Sequence, residues 1–472
     1  MSPDQHARTL LDLLAGDDDR AALVAPNKPT LSYRQLRENV AALAEQLNSF
    51  GLGRGDRIAL VMNNGPELIV SFFAAAMCGT AAPLNPKYKE EEFAFYYDDT
   101  QAKALIALPG TADLARAAAP PTMLQIDALP QPDGTLAFAS ASTGTPRPHE
   151  LALPDDVAMI LHTSGTTSRP KRVPIRHRNM AASAANIVGT YDLNGGDIAL
   201  CVMPLFHIHG IVASMLATLA SGGTVVCPEG FNALEFWQWV GTYTPTWYSA
   251  VPTMHQMVLA RAERNAEIVG NHQFRFVRSS SAALPPVVLE RMEELYKVPV
   301  LEAYGMTEAT HQMASNPTPP RPHKAGSVGV GFGVDVAIMN EAGNLLPQGA
   351  KGEVVVRGPN VVDGYENNPE ANATAFVDGW FRTGDQGVID ADGYLALTGR
   401  LKELINRGGE KISPLEIDDV LLRHPAVAEA LAFAVPHKSL GEDIHAAVVL
   451  KGPATERELR DHCAELLADF KV

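Results

Sequence analysis

The chain has 472 residues, of which 46% are apolar and 19% charged, with a formal net charge of -16. This length allows about two to four domains, or one large domain with an appendix, and the residue balance is that of a globular protein. The negative charge argues against nucleic acid or an anionic membrane as the main partner, because both require a positive field.

The opening "MSPDQHARTLLDLLAGDDDR" has no basic start followed by a long apolar core. No later stretch reaches the roughly 18 uninterrupted apolar residues of a spanning helix, so the expected location is cytoplasmic. Cys78, Cys201, Cys227 and Cys463 lie far apart without metal-ligand spacing, which predicts small buried thiols in a reducing compartment.

From residue 57, "RIALVMNNGPELIVSFFAAAMCG" predicts a strand, a turn and a helix with Pro66 in its first turn. The Ala/Pro/Thr-rich stretch 107–150 is expected to be a surface connection. "DVAMILH" predicts a strand that delivers "HTSGTTSRPK", residues 162–171, to a sheet edge. The strand–turn–helix grammar returns in 246–263 and 274–296, and "VPVLEAYG" follows as another apolar run. Such alternation implies parallel sheets with ligands at the carboxyl ends of the strands. From about residue 325 the pattern becomes β-rich, and "GVIDADGYLALTGR" predicts a hairpin turning at Ala391, Asp392 and Gly393. A charged stretch, a helix and a strand follow, so a boundary is expected near Gly399 to Lys402, with a small domain beyond it.

In "HTSGTTSRPK", small residues free the backbone amides, and five hydroxyls and Lys171 add donors. That composition fits either a plain Ser/Thr turn or a nest for phosphate oxygens. It lacks the Gly-Lys-Ser/Thr order of a Walker loop, and "GSVGVGFG" (326–333) fails GxGxxG because Val334 falls where the third glycine belongs. Three further stretches sharpen the reading: "EAYGMTEATH" (302–311), "WFRTGDQG" (380–387) and "TGRLKELINRGGEKISPLEID" (398–418). In this order and spacing the four motifs resemble the adenylate-forming superfamily, which comprises acyl-CoA synthetases, luciferases and the adenylation domains of peptide synthetases. The resemblance runs from about residue 30 to the C-terminus.

The resemblance implies an α/β fold. A large N-terminal domain (1–399) would hold parallel αβαβα-type sheets and a β-rich subdomain, with a hinge at 400–402 and a small mobile α+β domain at 403–472. It implies ATP, Mg²⁺ and coenzyme A: a carboxylate attacks the α-phosphate, pyrophosphate leaves, and a thiol takes the acyl group from AMP. Thr163, Ser164, Gly165, Thr166, Thr167 and Lys171 would hold the pyrophosphate end. Ser281, Ala282, Ala283, Glu302 and Ala303 would line the nucleotide site, Tyr304 would stack on adenine, and Thr307 would touch the α-phosphate. Glu308 would hold Mg²⁺, a hard cation suited to one carboxylate plus phosphate oxygens. Asp385, helped by Arg400, would accept from the ribose hydroxyls. Lys402 takes the hinge position, and Gly408 and Gly409 would line the pantetheine path. The bland readings are Tyr304 as core, Glu308 as a surface acid and Asp385 as a turn residue.

Two departures stand out. Ser168 and Arg172 occupy positions where the family usually has glycine, which predicts a stiffer, more basic loop. The family also carries an adenylating lysine some way beyond a segment like "LADFKV", where this sequence stops; Lys471 belongs to that earlier segment and takes no catalytic role. The expectation is therefore of a chain incomplete at its end.

For the acid, polar candidates are His207 and His209 in "PLFHIHG", Ser279 to Ser281 in "VRSSSAAL", and His311. A His and Ser set suits a second carboxylate, although His207 also fits a common gate position and His311 a loop cap. "FVRSSSAAL" and "EAYGMTEATHQM" resemble the oxalate–CoA ligase branch, which implies oxalate held by Ser281, His207 and His311. A malonate or other short- or medium-chain acyl-CoA ligase, a stand-alone enzyme loading a carrier protein, and a non-catalytic nucleotide-binding scaffold are the competing readings. Oligomeric state has no signature in the sequence.

Overall fold

A computed structural model of the chain describes residues 8–163 and 170–472. It is an α/β protein built on two large sheets. The seven-stranded sheet runs, edge to edge, Leu136–Ser140, Leu124–Pro130, Ala104–Ala107, Arg57–Leu60, Thr80–Pro83, Val157–Thr163 and Lys171–Arg176. The eight-stranded sheet runs His311–Ser315, Val300–Met306, Phe276–Ser279, Trp247–Ala250, Ile198–Leu200, Thr224–Val226, Ala21–Val24 and Leu31–Ser32. Both are parallel within and antiparallel at their edge strands, as expected of sheets covered on both faces.

Side-chain alternation along the strands divides the core into layers. Ile58 and Leu60 face inward with Trp247 and Phe276 of the other sheet, while Ala59 and Leu105 pack outward against Phe93 and Tyr97. Leu200, Tyr248 and Val277 face the opposite side, toward Phe236, Trp237 and Leu289. The helix Pro66–Cys78 belongs to the central layer and is buried all round, which is why "PELIVSFFAAAMC" shows no polar face. Pro66, Pro252 and Pro286 each open the helix that follows a strand, where a missing N–H costs nothing.

One expectation fails. Residues 107–150 contain the helix Asp113–Ala118 and the strands Leu124–Pro130 and Leu136–Ser140, which complete one side of the seven-stranded sheet. Their half-exposed position at one end of the sheet tolerates the Ala/Pro-rich composition that hid them.

A five-stranded antiparallel sheet follows, with the long strand Trp380–Ile389 at its centre. Its partner Leu395–Arg400 is reached through the turn read from the sequence, where Asp390 N–H donates to the Tyr394 carbonyl at 2.9 Å. Beyond Arg400 a separate four-stranded sheet, Glu410–Ile412, Ile405–Arg407, Gly441–Leu450 and Val427–His437, packs on the helix Pro414–Arg423 with its own core. The sequence reading missed the hairpin at 405–412. Gly408 and Gly409 form its two-residue turn with φ of +62° and +95°, a pair of left-handed positions that glycine adopts without cost.

Gly329 joins the β-rich part to the eight-stranded sheet. It has φ of +80°, and a Cβ there would come within 1.9 Å of the Ser315 carbonyl carbon. Gly329→Ala is expected to lower stability by about 3 kcal/mol, visible as an earlier denaturant-unfolding midpoint.

Candidate active site

The carboxyl ends of several parallel strands converge on two adjoining cavities of about 830 and 910 Å³. Thr163, Val251, Met306 and Thr307, each at or just past the end of its strand, border the larger one. Ser281, Gly305, Met306, Arg400, Lys402 and Glu403 border both. The smaller cavity is walled by Ala282, Ala283, Glu302, Ala303, Tyr304 and Asp385, together with residues of the C-terminal sheet such as Phe433.

Thr307 and Glu308 sit in a short 3-10 turn between the antiparallel strands Val300–Met306 and His311–Ser315. Glu308 is buried at 8% exposure. Its Oε1 accepts from Tyr365 Oη at 2.8 Å and from Thr163 Oγ1 at 3.4 Å. Lys171 Nζ lies 4.4 Å from the centre of the Tyr365 ring, a cation–π contact that ties the lysine, through Tyr365, to the carboxylate. Ser164, Gly165, Thr166, Thr167 and Ser168 lie outside the described residues.

Arg172, expected to make this region more basic, faces carboxylates instead. Its Nε is 3.5 Å from both Asp99 Oδ2 and Glu366 Oε2, and it donates to the Asp99 carbonyl. His162 Nε2 contacts Asp99 Oδ2 at 3.0 Å from the other side. Much of the added charge is therefore neutralised behind the loop.

Asp385 lies within the strand Trp380–Ile389, so the turn reading does not apply. Tyr304 Oη donates to its Oδ2 at 2.5 Å, and Arg400 Nε lies 3.5 Å from Oδ1. Burial raises the Asp385 carboxyl above its ordinary range, against the pull of Tyr304 and Arg400. Tyr304 is 7% exposed and walls the smaller cavity with one face while joining the core with the other.

Glu302 is the most perturbed carboxylate here. Burial pushes it up to about 7, opposed by the Gly326 N–H that donates to it at 3.0 Å and assisted by Asp419. Its folded-state value exceeds the ordinary 4.5, so protonated Glu302 favours the fold fully below about 4.5 and loses that advantage as pH rises through 7. Glu302→Gln is expected to flatten this fall, giving a higher melting temperature than the parent at pH 8 and little difference at pH 4.5.

Of the three residues assigned to the acid, Ser281 and His207 border the larger cavity. His311 does not. It is 1% exposed, its ring meets His209 edge-on at 4.9 Å, and neither ring nitrogen has a hydrogen-bond partner among the described residues. Its φ is +90°, a strained value for a residue with a Cβ, and Gly305 packs against its ring, where a Cβ would lie 2.4 Å from Nδ1. His209, which opens the π-helical stretch His209–Leu216, takes the place beside Ser281, with Nδ1 3.0 Å from Oγ. Behind it lies Arg278, at 0% exposure. Sequence reasoning missed Arg278; the signal was an arginine inside "FRFVRSSS", a strand otherwise built for burial.

Gly408 and Gly409 border neither cavity. The four cysteines are free and buried. Among the described residues, no helix is long and apolar enough to cross a membrane.

Comparison with known proteins agrees with this geometry. A model of AMP-binding enzymes matches residues 13–366, and one of the AMP-binding enzyme C-terminal domain matches 416–472. The chain is 46% identical over 466 residues to an oxalate–CoA ligase of Arabidopsis thaliana, covering 96% of this chain and 90% of that protein. It is 41% identical over 492 residues to the oxalate–CoA ligase of Saccharomyces cerevisiae, with 96% and 90% covered. ATP-bound MatB from Rhodopseudomonas palustris superposes with a TM-score of 0.86 at 29% identity, over 98% of this chain and 93% of that one.

Proposed function

Because the chain belongs to the AMP-binding enzyme family and is an AMP-forming, ATP-dependent acid–CoA ligase, we propose that the acid it activates is oxalate and the product oxalyl-CoA. The observation that carries this reading is the acid end of the larger cavity, where Ser281, His207 and His209 line the space and His209 is hydrogen-bonded to Ser281. A carboxylate that is not reacting needs such donors. Two of the relatives with which the chain shares 41 to 46% of its residues are oxalate–CoA ligases.

In this reading Thr163 and Lys171, with the loop between them, hold the pyrophosphate end. Thr307 contacts the α-phosphate, and Asp385 and Arg400 take the ribose hydroxyls. Tyr304 presents the wall for adenine, beside Ala282, Ala283, Glu302 and Ala303. Glu308 is the ligand for Mg²⁺, which supplies charge neutralisation on the phosphates. A single buried carboxylate beside a hydroxyl suits this cation, which keeps most of its shell as water and phosphate oxygen, while the lysine suits the phosphates. His207 stands at the gate between acid and phosphate.

Lys402 serves as the hinge about which residues 403–472 turn between adenylation and thiol transfer. The Gly408–Gly409 turn then meets the pantetheine arm of CoA. The substrates account for ATP, CoA and a small acid as partners. Four free thiols fit a cytoplasmic setting.

The test offers the full-length enzyme ATP, Mg²⁺ and CoA with oxalate, malonate, acetate or octanoate, and identifies the acyl-CoA by mass. Oxalate is expected to have the highest kcat/KM, about 10²-fold above acetate, because acetate leaves the second set of donors unpaired. A preference for octanoate would overturn the oxalate reading.

A further inference from the structure

Arg278 lies in the middle of the strand Phe276–Ser279, every residue of which is buried. A guanidinium in such a place requires full hydrogen bonding. Nε donates to Tyr191 Oη at 2.7 Å, Nη1 to Ser249 Oγ at 3.0 Å and toward His209 Nε2 at 3.3 Å, and Nη2 to Gln312 Oε1 at 3.4 Å. None of these partners is a carboxylate, so the charge is balanced by dipoles alone.

That arrangement fixes which imidazole nitrogen of His209 carries the proton. Arginine offers only donors, so Nε2 facing it must accept. Ser249 accepts from the same arginine nitrogen, which leaves its own proton for His209 Nε2, 2.6 Å away. Burial, then His311, then Arg278 hold the His209 imidazole neutral, well below the ordinary histidine range. A neutral ring that accepts at Nε2 is protonated at Nδ1, and Nδ1 lies 3.0 Å from Ser281 Oγ. Ser281 accepts there, and its own hydroxyl proton is free to point elsewhere. The residue is exposed where the two cavities meet, and its φ of +74° is a left-handed value that a serine holds only under constraint from its surroundings.

We propose that Arg278 is a positioning residue for the acid: by donating to His209 Nε2 it sets the tautomer that keeps Ser281 a hydrogen-bond donor toward the substrate carboxylate. The inference rests on the reading that Ser281 meets the acid. Arg278 touches no substrate atom and acts only through His209. Without it His209 can carry its proton on Nε2, facing Ser249, and Ser281 then spends its own proton on Nδ1 and meets the acid as an acceptor.

A double-mutant cycle in the full-length enzyme tests this, read with whichever acid the unaltered enzyme turns over best. A substrate other than oxalate would therefore overturn the functional reading and leave the cycle intact. Arg278→Gln and Ser281→Ala are each expected to raise KM for the acid about tenfold, with KM for ATP in Arg278→Gln within about twofold of the parent. The double variant is expected to match Ser281→Ala alone. Effects that multiply, or an equal rise in KM for ATP in Arg278→Gln, would overturn the relay.

If Arg278→Gln does not fold, His209→Asn and His209→Phe carry the test. The Asn amide donates toward Ser281 with no tautomer to set, so its KM for the acid is expected within about threefold of the parent, while Phe reproduces Ser281→Ala. Equal behaviour of Asn and Phe would overturn the proposal.

Discussion

Glu308→Gln is expected to lower acid-dependent release of pyrophosphate about a thousandfold, with little change in melting temperature. The amide oxygen still accepts from Tyr365 Oη and Thr163 Oγ1, which lie 2.8 and 3.4 Å from Glu308 Oε1. The fold therefore loses little, and what disappears is the negative charge proposed to hold Mg²⁺ against the phosphates. Tyr365→Phe separates ligand from support. It leaves the carboxylate in place but removes one of its anchors and keeps the aromatic face under Lys171, so a drop of about tenfold is expected. Activity of Glu308→Gln within tenfold of the parent would remove Glu308 from the metal site.

The second large effect falls on nucleotide affinity. Asp385→Ala is expected to raise KM for ATP about a hundredfold, the loss of about two charge-assisted hydrogen bonds to the ribose. It also strands the Tyr304 hydroxyl, whose partner is Asp385 Oδ2, so a modest fall in stability accompanies it. Asp385→Asn repairs that bond without restoring the charge and is expected to fall between parent and Ala. Because burial raises the Asp385 carboxyl, ATP affinity is also expected to decline on acidification at higher pH than an exposed aspartate would allow. An unchanged KM for ATP in Asp385→Ala would contradict the ribose assignment.

Much of the architecture was legible because its signals are local. The strands Arg57–Leu60, Trp247–Ala250 and Phe276–Ser279 are short apolar runs, each followed by a proline that opens a helix. The strands Leu124–Pro130 and Leu136–Ser140, of which only the second is at the sheet edge, lacked that signal, since both are only partly buried and short runs with Ala, Pro and polar residues suffice there. Site positions that belong to contiguous motifs, such as Thr307, Glu308 and Asp385, could be named before any coordinates. Arg278 could not. Its partners Ser249, Gln312, His209 and Tyr191 lie 29, 34, 69 and 87 positions away in sequence, and no local pattern tells a buried, dipole-balanced arginine from one that faces solvent. His209 carried a local clue in "PLFHIHG", but which of its two histidines stands against Ser281 depends on the π-helical start at His209. Arg172 shows the reverse error: as a residue type it promised added positive charge, and the fold sets Asp99 and Glu366 against it.

In an AMP-forming ligase the acid is activated as its adenylate before CoA takes it. Oxalate labelled with ¹⁸O in its carboxylates, supplied to the enzyme with ATP, Mg²⁺ and CoA, tests this in one mass spectrum. The attacking carboxylate oxygen becomes the bridge to the α-phosphorus and leaves with AMP when the thiol displaces it. One ¹⁸O is expected in each AMP, none in pyrophosphate, with label retained in oxalyl-CoA. Label in inorganic phosphate beside ADP, or AMP without label, would contradict this order.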